Sequence, residues 1–371
     1  MPKIVWSVLC LLYFIANEVS PKKFTTLELA SKIILELSDT NIIISPTAID
    51  VALAQIYLGA AGETEAELKD VLGYPGSTKA EVLAALQRRS PEIIISSRMY
   101  VASGIPILPN YQQMSRKYLH VEAGNVDLSF QGAHTINSWV SGKTKGRVVD
   151  LIDSSLLDDA TKVILVNVVI FQARWKYPIK KVSTGNFYLP DERRSVAVKM
   201  LDHVGTFYYN FQDELDAHVA VIPFANSSLS MALIVPKTFR GIRKVEDNLK
   251  SLNLDALSLK ELQISLPKFK IKYDQDLAQP LIDLGVKSIF NNANLSDLTK
   301  SKDKLKIDSI QHSAVLEVDE KGSKWAAAAD DEILAGRSRS AGLLVTCNRP
   351  FLFAVVEGKK IFIFGRLSRP E

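Results

Sequence analysis

The chain contains 371 residues, 47% of them hydrophobic, and its formal net charge at pH 7 is +4. Basic and acidic residues are interspersed, which argues against nucleic-acid binding, and two cysteines are too few for a disulfide framework. The chain is long enough for one large core or two ordinary domains, and packing must supply its stability.

The first 20 residues, "MPKIVWSVLCLLYFIANEVS", have the layout of a secretory signal peptide. Lys3 precedes an apolar run over residues 4–15, which is too short to span a bilayer. We predict a signal peptide over residues 1–20, with Ser20 as the cleavage point, and therefore a secreted, extracellular protein that is not anchored in a membrane. A buried N-terminal helix is the alternative, but the segment has no polar face before Asn17.

Helical patterns come first in the chain. "FTTLELASKIILELSDT" (24–40) repeats apolar residues at spacings of three and four, which predicts a helix. "SPTAIDVALAQIYLGAAGETEAELKDVLGY" predicts two helices broken at Gly59 and Gly62, the second beginning with acids that a helix N-terminus prefers. "INSWV" (136–140) is also helical in pattern.

From "EIIISSRMYV" (92–101) onward the patterns become mixed. "KVILVNVVIFQARW" (162–175) is a continuous apolar run with β-branched residues, which predicts a central strand buried on both faces. Further strand candidates are "HVAVIPF", "LSMALIVP", "LQISLPKFKIKY" and "HSAVLEVDE". The tail "LLVTCNRPFLFAVVEGKKIFIFGRL" predicts two or three strands turning at Glu357 and Gly358, with Cys347 buried as a small hydrophobic residue. Helices followed by strands, without repeats or long linkers, predict an α+β fold in one large domain.

Motifs typical of enzymes and metal sites are missing from the sequence. There is no G-x-S-x-G, H-E-x-x-H or C-x-x-C, and the histidines have no metal-ligand spacing. "SGKTKG" (141–146) imitates the end of a phosphate loop, but Asn137 stands where that motif requires glycine. Spacing leaves open a triad built from distant residues, yet no serine or cysteine lies in a motif that would activate it. We predict a protein that is not an enzyme and binds no cofactor or metal.

Surface signals are weak. Basic residues at Arg88, Arg89 and within 143–147 are explained as solvated faces, so glycosaminoglycan binding is unsupported. Two sequons make Asn226 and Asn294 candidate glycosylation sites in a secreted glycoprotein. We expect a monomer.

The stretch "DEKGSKWAAAADDEILAGRSRSAGLL" (319–344) separates two strand candidates. Roughly 20 residues lack a compact pattern, and loops of that length are usually functional or disordered. The stretch has a flexible start at Gly322, a run of alanines, and a polar end in which each of two arginines precedes a serine. A trypsin-like protease can cleave after such an arginine in an exposed loop. An ordinary solvated helix would also show an alanine run before acids, and an arginine followed by a serine is common in surface loops. Neither the alanine run nor the Arg-Ser pairs alone therefore identify a protease-sensitive functional loop.

The whole mature chain resembles the serpin family. "NIIISPTAIDVALAQIYLGAAGETEAEL" is similar to the N-terminal signature of that family, "INSWVSGKTKGRV" to the helix across its main sheet, and "VILVNVVIFQARWKYPI" to its strand ending in tryptophan. "HSAVLEVDEKGS" resembles the strand and hinge before the reactive loop, and "NRPFLFAVVEGKKIFIFGRL" the closing strands. These segments follow one another in family order.

The resemblance implies a single domain over 21–371 with a large central β-sheet, two further sheets, surrounding helices and an exposed reactive-centre loop at about 320–345. It also implies suicide inhibition: a serine protease attacks the loop, is held as an acyl-enzyme, and is distorted when the cut loop inserts into the central sheet, as serpins are known to do. The hinge positions implied are Glu320, Gly322, Ser323, Trp325, Ala326, Ala327, Ala328 and Ala329. The resemblance also implies a polar cluster beneath the parting strands, formed by Ser45, Asn167 and His312 with Asn137 nearby. Trp175 corresponds to the tryptophan at the top of the sheet, where insertion begins.

The scissile bond is open between two sites. Family spacing counted from the hinge places the scissile residue at Gly336 or Arg337, and counting back from the closing strands favours Arg339. "LAGRS" (334–338) resembles the cut site of arginine-specific serpins, so we predict cleavage between Arg337 and Ser338, with Arg339 and Ser340 as the runner-up. Either arginine would pair with an acidic specificity pocket, which predicts a trypsin-like serine protease as the partner.

Two departures from the family pattern matter. Trp325 stands where small residues are usual, and strand alternation places it on one face with Asp331. If that face turns inward on insertion, an indole and an unpaired carboxylate must be buried, at a cost of several kcal/mol. Ala48 also replaces a family serine. A non-inhibitory serpin, cleaved as a substrate and serving a binding or carrier role, is therefore the alternative.

Overall fold

The structure is a computed structural model that describes residues 32–33, 40–74, 77–86, 90–128, 130–177, 179, 181–302, 304–323 and 342–370. The predicted signal peptide lies outside the described residues, as do Trp325, the alanine run, Asp331 and both candidate scissile bonds. Of the helix predicted over 24–40, Lys32 and Ile33 are described as helical.

Most of the helices described lie in the first half of the chain. The first five are α1 (Pro46–Gly59), α2 (Gly62–Leu72), α3 (Lys79–Ala85), α4 (Pro109–Met114) and α5 (Phe130–Thr144). Three short helices follow in the second half, α6 (Ile242–Asp247), α7 (Ala278–Asp283) and α8 (Ser288–Asn291). Single turns of other helix types occupy Ser115–Leu119, Ser154–Leu156 and Leu249–Ser251. Within the described ranges, no helix has the length and apolar character needed to cross a membrane.

Helix α1 is buried along almost its whole length. The Ser45 hydroxyl accepts a hydrogen bond from the Ala48 amide at 3.2 Å, and proline occupies the first helical position, so the chain enters the helix at a defined point. Beyond its C-terminus, the Lys79 ammonium donates to the carbonyl of Ala60 at 2.7 Å. Since α1 ends at Gly59 and α2 begins at Gly62, the predicted break is confirmed.

The central sheet of the described chain has six strands. They are β2 (Ile93–Ala102), β3 (Glu122–Val126), β4 (Val163–Phe171), β10 (Phe269–Asp276), β11 (Ser309–Asp319) and β12 (Gly322–Ser323). Their order is β10-β11-β4-β2-β3, with β12 paired to β11. The predicted central strand is confirmed as β4, whose residues are all buried. Ile164, Val166 and Val168 pack in one apolar cluster with residues of α5, while Leu165 packs in the cluster that contains α1.

A second sheet contains nine of the described strands. They are β1 (Ile42–Ile44), β5 (Lys181–Leu189), β6 (Arg194–Gln212), β7 (Ala217–Pro223), β8 (Ser230–Pro236), β9 (Ser258–Pro267), β13 (Leu344–Thr346), β14 (Phe351–Glu357) and β15 (Lys360–Leu367). The 19-residue β6 pairs with β5 and β9 in its first part and with β7 near its end. It therefore joins the two further sheets of the predicted fold into one continuous sheet. Cys347 is buried as predicted, and burial raises the pKa of its thiol to about 12.

Candidate functional site

The two middle strands of the central sheet run parallel and separate at one end. Residues 309–315 of β11 pair with 164–170 of β4. Beyond Val315, β11 continues to Asp319, and its residues 316–318 pair with β10 and not with β4. Parallel ladders are slightly less stable per residue than antiparallel ones. The open end between β4 and β11 is therefore the point at which an additional antiparallel strand can start.

The start of such a strand is already in place. Gly322 pairs antiparallel with Asp319 of β11, and on its other side it forms an antiparallel bridge with Arg174, which follows β4. Gly322, one of the predicted hinge residues, thus lies between the two segments that an inserted strand would have to separate. The ladder that insertion needs would extend this existing pairing.

Trp175 holds residues 319–321, at the predicted hinge, against the segment that follows β4. Its indole N–H donates to the carbonyl of Asp319 at 3.0 Å, and its backbone amide donates to the carbonyl of Lys321 at 3.2 Å. The buried indole stacks on Phe224, with ring centroids 5.0 Å apart, and meets His203 edge to face at 4.8 Å. The two hydrogen bonds to Asp319 and Lys321 have to be broken if the chain swings at residues 319–322.

Gly322 is a position that only glycine fits. Its φ is +131°, and a Cβ built there would lie 2.2 Å from the carbonyl oxygen of Ala173 and 2.6 Å from Cα of Arg174. Both contacts are to backbone atoms that cannot rotate away. The neighbouring Glu320 carboxylate pairs with Lys268 at 3.0 Å, but this ion pair is about 40% exposed and contributes at most about 1 kcal/mol.

A polar cluster lies where α1 crosses the face of the central sheet. The Ser45 amide donates to Nε2 of His312 at 3.2 Å, and the Ser45 hydroxyl donates to the carbonyl of Phe362 at 2.7 Å. The Asn167 amide group donates to the carbonyl of Ala48 at 2.7 Å. Ser45, Asn167 and His312 are all 0% exposed. The structure therefore brings these three predicted residues together beneath the pair of strands that would part.

The cluster belongs to a polar row across the sheet. In register, Gln275 of β10 faces His312, His312 faces Asn167, and Asn167 faces Ser97 of β2. The Ser97 hydroxyl donates to the Gln55 side chain of α1 at 3.0 Å. Two buried atoms in the row, Oδ1 of Asn167 and Nδ1 of His312, have no hydrogen-bond partner among the described residues. An unpaired polar atom in a core costs free energy, so this row weakens the sheet at the place where an inserted strand would have to open it.

Asn137 lies on α5 and bonds elsewhere. Its side chain accepts from the amide of Ile152 at 2.9 Å and donates to the carbonyl of the same residue at 2.8 Å. These two bonds hold the chain after α5 against the helix. Both candidate glycosylation residues, Asn226 and Asn294, are exposed, and Asn226 has the left-handed φ of 52° at the turn between β7 and β8.

Several groups at this site could not be identified from the sequence. Phe224 and His203 pack against Trp175, Lys268 pairs with the hinge, and Gln55 holds Ser97. Each lies on an element far away in the chain, so no local pattern connects it with the site. A buried-strand pattern ending in phenylalanine, "HVAVIPF", was the one signal that pointed near Phe224.

The buried histidines predict a loss of stability in acid. Burial lowers the pKa of His312 from 6.5 to about 4, and it lowers the pKa of His203 by a similar amount, while a nearby aspartate offsets part of each shift. Since the folded state takes up these protons less readily than the unfolded state, the free energy of unfolding should fall as pH drops from about 6.5 to 4. The loss should be on the order of 3 kcal/mol per histidine.

Urea unfolding at pH 7 and at pH 4.5 measures this effect. H312Q removes the titrating ring and should reduce the difference in unfolding free energy between the two pH values. H134Q changes an exposed histidine of α5 and should leave the difference as it is in the parent protein. Equal pH dependence in H312Q and the parent would show that His312 is not the titrating group.

Comparisons with known proteins place the chain among related sequences and structures. Residues 20–370 match the family model described as Serpin (serine protease inhibitor). Serine protease inhibitor 42Dd of Drosophila melanogaster is 30% identical over 347 residues, which cover 90% of this chain and 92% of the relative. The leukocyte elastase inhibitor of Homo sapiens is 31% identical over 365 residues, covering 89% and 93% of the two chains. Among solved structures, Serpin48 of Tenebrio molitor superposes with a TM-score of 0.84 at 23% identity, covering 94% of this chain and 96% of that one, which shows a common fold.

Proposed function

The chain belongs to the serpin family of serine protease inhibitors, and we propose that it is a secreted suicide-substrate inhibitor of trypsin-like serine endopeptidases. The observation that carries this proposal is the position of Gly322, which is already paired antiparallel to β11 and bridged to the segment after β4. The loop that follows would insert by extending this pairing. We expect no catalytic activity of the chain's own beyond this single turnover, and no cofactor.

Insertion has a favourable hydrogen-bond balance. A strand that enters between β4 and β11 replaces the parallel ladder over 309–315 and 164–170 with two ladders, one on each side. The net gain is about one ladder, or roughly ten hydrogen bonds at about 0.5–1.5 kcal/mol each, which amounts to on the order of 10 kcal/mol. The uncut loop is tied at both ends and cannot insert along its full length, so this energy is released after cleavage.

The target class follows from the residues at the proposed scissile bond. Arg337 or Arg339 would fill the acidic specificity pocket of a trypsin-like protease. Arg337-Ser338 is the bond we favour, with Arg339-Ser340 as the alternative. Small side chains at residues 326–329 can enter a closing sheet with little steric cost, whereas Trp325 and Asp331 oppose insertion if they face inward.

Secretion is part of the same proposal. The segment 1–20 has the layout of a signal peptide, and the family match begins at residue 20, which supports removal of that segment to leave a domain over 21–371. The exposed positions of Asn226 and Asn294 are compatible with glycosylation on the secretory route. We expect a monomer whose macromolecular partner is the protease, without nucleic acid or membrane.

A gel assay with trypsin tests inhibition. We expect a complex that survives boiling in detergent after equimolar mixing, and no such complex with trypsin whose active-site serine has been blocked. Cleaved chain isolated afterwards should melt about 10 °C or more above the intact chain, because the inserted strand adds its hydrogen bonds.

Complete turnover to cleaved chain, with trypsin still active and the melting temperature unchanged, would contradict the inhibitory proposal. That result would favour the alternative, a non-inhibitory member with a binding or carrier role. The double variant W325A/D331A then separates the causes. If it forms the stable complex where the parent does not, the two departures in the hinge region are what prevents insertion.

A further inference from the structure

A cavity of about 430 Å³ lies away from the hinge, between the turn joining β5 to β6, helix α6 and the end of β15. Its volume is within the range of small-molecule sites. Its charged lining residues are Arg193, Arg240, Arg243, Arg366, Asp191 and Glu246. Four arginines against two acids leave a surplus of two positive charges, so the cavity favours an anion.

The deepest charges of the cavity are already matched to each other. Arg366 and Glu246 are 2% and 1% exposed, and the Arg366 guanidinium donates to Oε1 of Glu246 at 2.5 Å. The second oxygen, Oε2, accepts from Arg243 at 3.3 Å. With both of its oxygens engaged, Glu246 fixes two of the four guanidinium groups in place. It also leaves the three-residue group with a net positive charge.

The other two arginines are available for a ligand. Arg193 and Arg240 are exposed, and their side chains make no hydrogen bond or ion pair to any residue in the described part of the chain. Arg193 is held in a left-handed conformation, φ 49°, at the turn where its amide donates to the carbonyl of Pro190. The apolar part of the cavity wall is formed by Pro190, Ile242 and Pro350.

We propose that this cavity binds a compact organic polyanion, one that carries phosphate or carboxylate groups on a small apolar body. Guanidinium groups bind both kinds of oxyanion with paired, charge-assisted hydrogen bonds, and Arg193 and Arg240 offer two such forks at the mouth of one cavity. The buried pair of Arg366 and Glu246 makes the floor rigid. None of these residues belongs to β4, β11 or the hinge, so the site does not depend on the proposed inhibition.

Calorimetric titration with inorganic pyrophosphate, and separately with citrate, tests this site. We expect one binding site per chain for at least one probe, with weaker binding at higher salt. R193Q/R240Q should lower the affinity by about tenfold or more. The control R116Q/K270Q removes two exposed cations elsewhere and should bind as the parent does. Preference for pyrophosphate indicates a phosphorylated ligand, and preference for citrate indicates a polycarboxylate.

Three results would overturn the site. These are no heat of binding with either probe at millimolar concentration, equal losses of affinity in both double variants, or several weak sites per chain. Thermal melting of each variant, carried out alongside, establishes that a loss of affinity does not reflect unfolding. Retained trypsin inhibition in R193Q/R240Q would show in addition that the cavity and the reactive loop act separately.

Discussion

Replacing Gly322 by alanine is expected to lower the free energy of unfolding by about 3 kcal/mol or more. The residue has a φ of +131°, in a region that side-chain-bearing residues rarely adopt. A methyl group there would also lie 2.2 Å from a carbonyl oxygen and 2.6 Å from a Cα of the segment after β4. Since neither obstacle is a movable side chain, the hinge has to leave its place between the strands.

Gly142 provides the matched control for this experiment. It lies at an exposed position of α5, and a Cβ added to it would meet nothing within 4 Å. G142A should therefore raise stability by about 0.5–1 kcal/mol through helix propensity. Denaturant unfolding of G322A, G142A and the parent measures both effects. Equal stability of G322A and the parent would mean that the hinge does not occupy the position between the strands.

The same substitution should change the conversion of the protein to an inserted form. In an inserted strand, residue 322 would keep its pairing with β11 while the segment after β4 moves aside, and its φ would become one that any residue tolerates. The strain in G322A should therefore exist only before insertion. We therefore expect G322A to lose its inhibitory activity faster than the parent on warm incubation. G142A should lose its activity no faster than the parent.

The helices and strands that have a clear local sequence pattern could be predicted from the sequence, whereas the contacts between side chains at the site could not. A continuous apolar run identified β4, and the glycines at positions 59 and 62 located the break between α1 and α2. The β5–β6 hairpin was missed because β5 begins with exposed residues and mixes polar with apolar positions, so its period is weak. "LQISLPKFKIKY" reads as one strand but forms β9 and β10, separated at Lys268.

The polar cluster shows why resemblance and geometry are both needed. The family resemblance identified Ser45, Asn167 and His312, yet the bonds from Ser45 to His312 and from Asn167 to Ala48 join parts of the chain that are more than 100 residues apart. Their pairing depends on the register of β11 against β4, which no local pattern specifies. Asn137, named on the same basis, makes its side-chain bonds to Ile152.

Replacing Arg337 by alanine is expected to reduce the rate of trypsin inhibition by about a thousandfold or more. A pocket built to pair with a charged side chain leaves its carboxylate buried and unmatched when that side chain is absent. R339A, two residues further on, is the matched control and should inhibit within a few-fold of the parent. Both arginines lie in a segment that the sequence predicts to be an exposed loop, so both variants should unfold at the same denaturant concentration as the parent.

The position of the cut decides between the two arginines independently of rate. Mass spectrometry of the fragment released by trypsin should give an N-terminus at Ser338 for the parent and for R339A. If R339A alone loses inhibition and the parent fragment begins at Ser340, the reactive bond is Arg339-Ser340 and the trypsin-like target class stands. If both single variants inhibit at the parent rate, the bond lies elsewhere in the loop and the arginine-specific assignment is wrong. The length of strand available for insertion changes by two residues between the first two outcomes, so the fragment also fixes how many residues can follow Asp331 into the sheet.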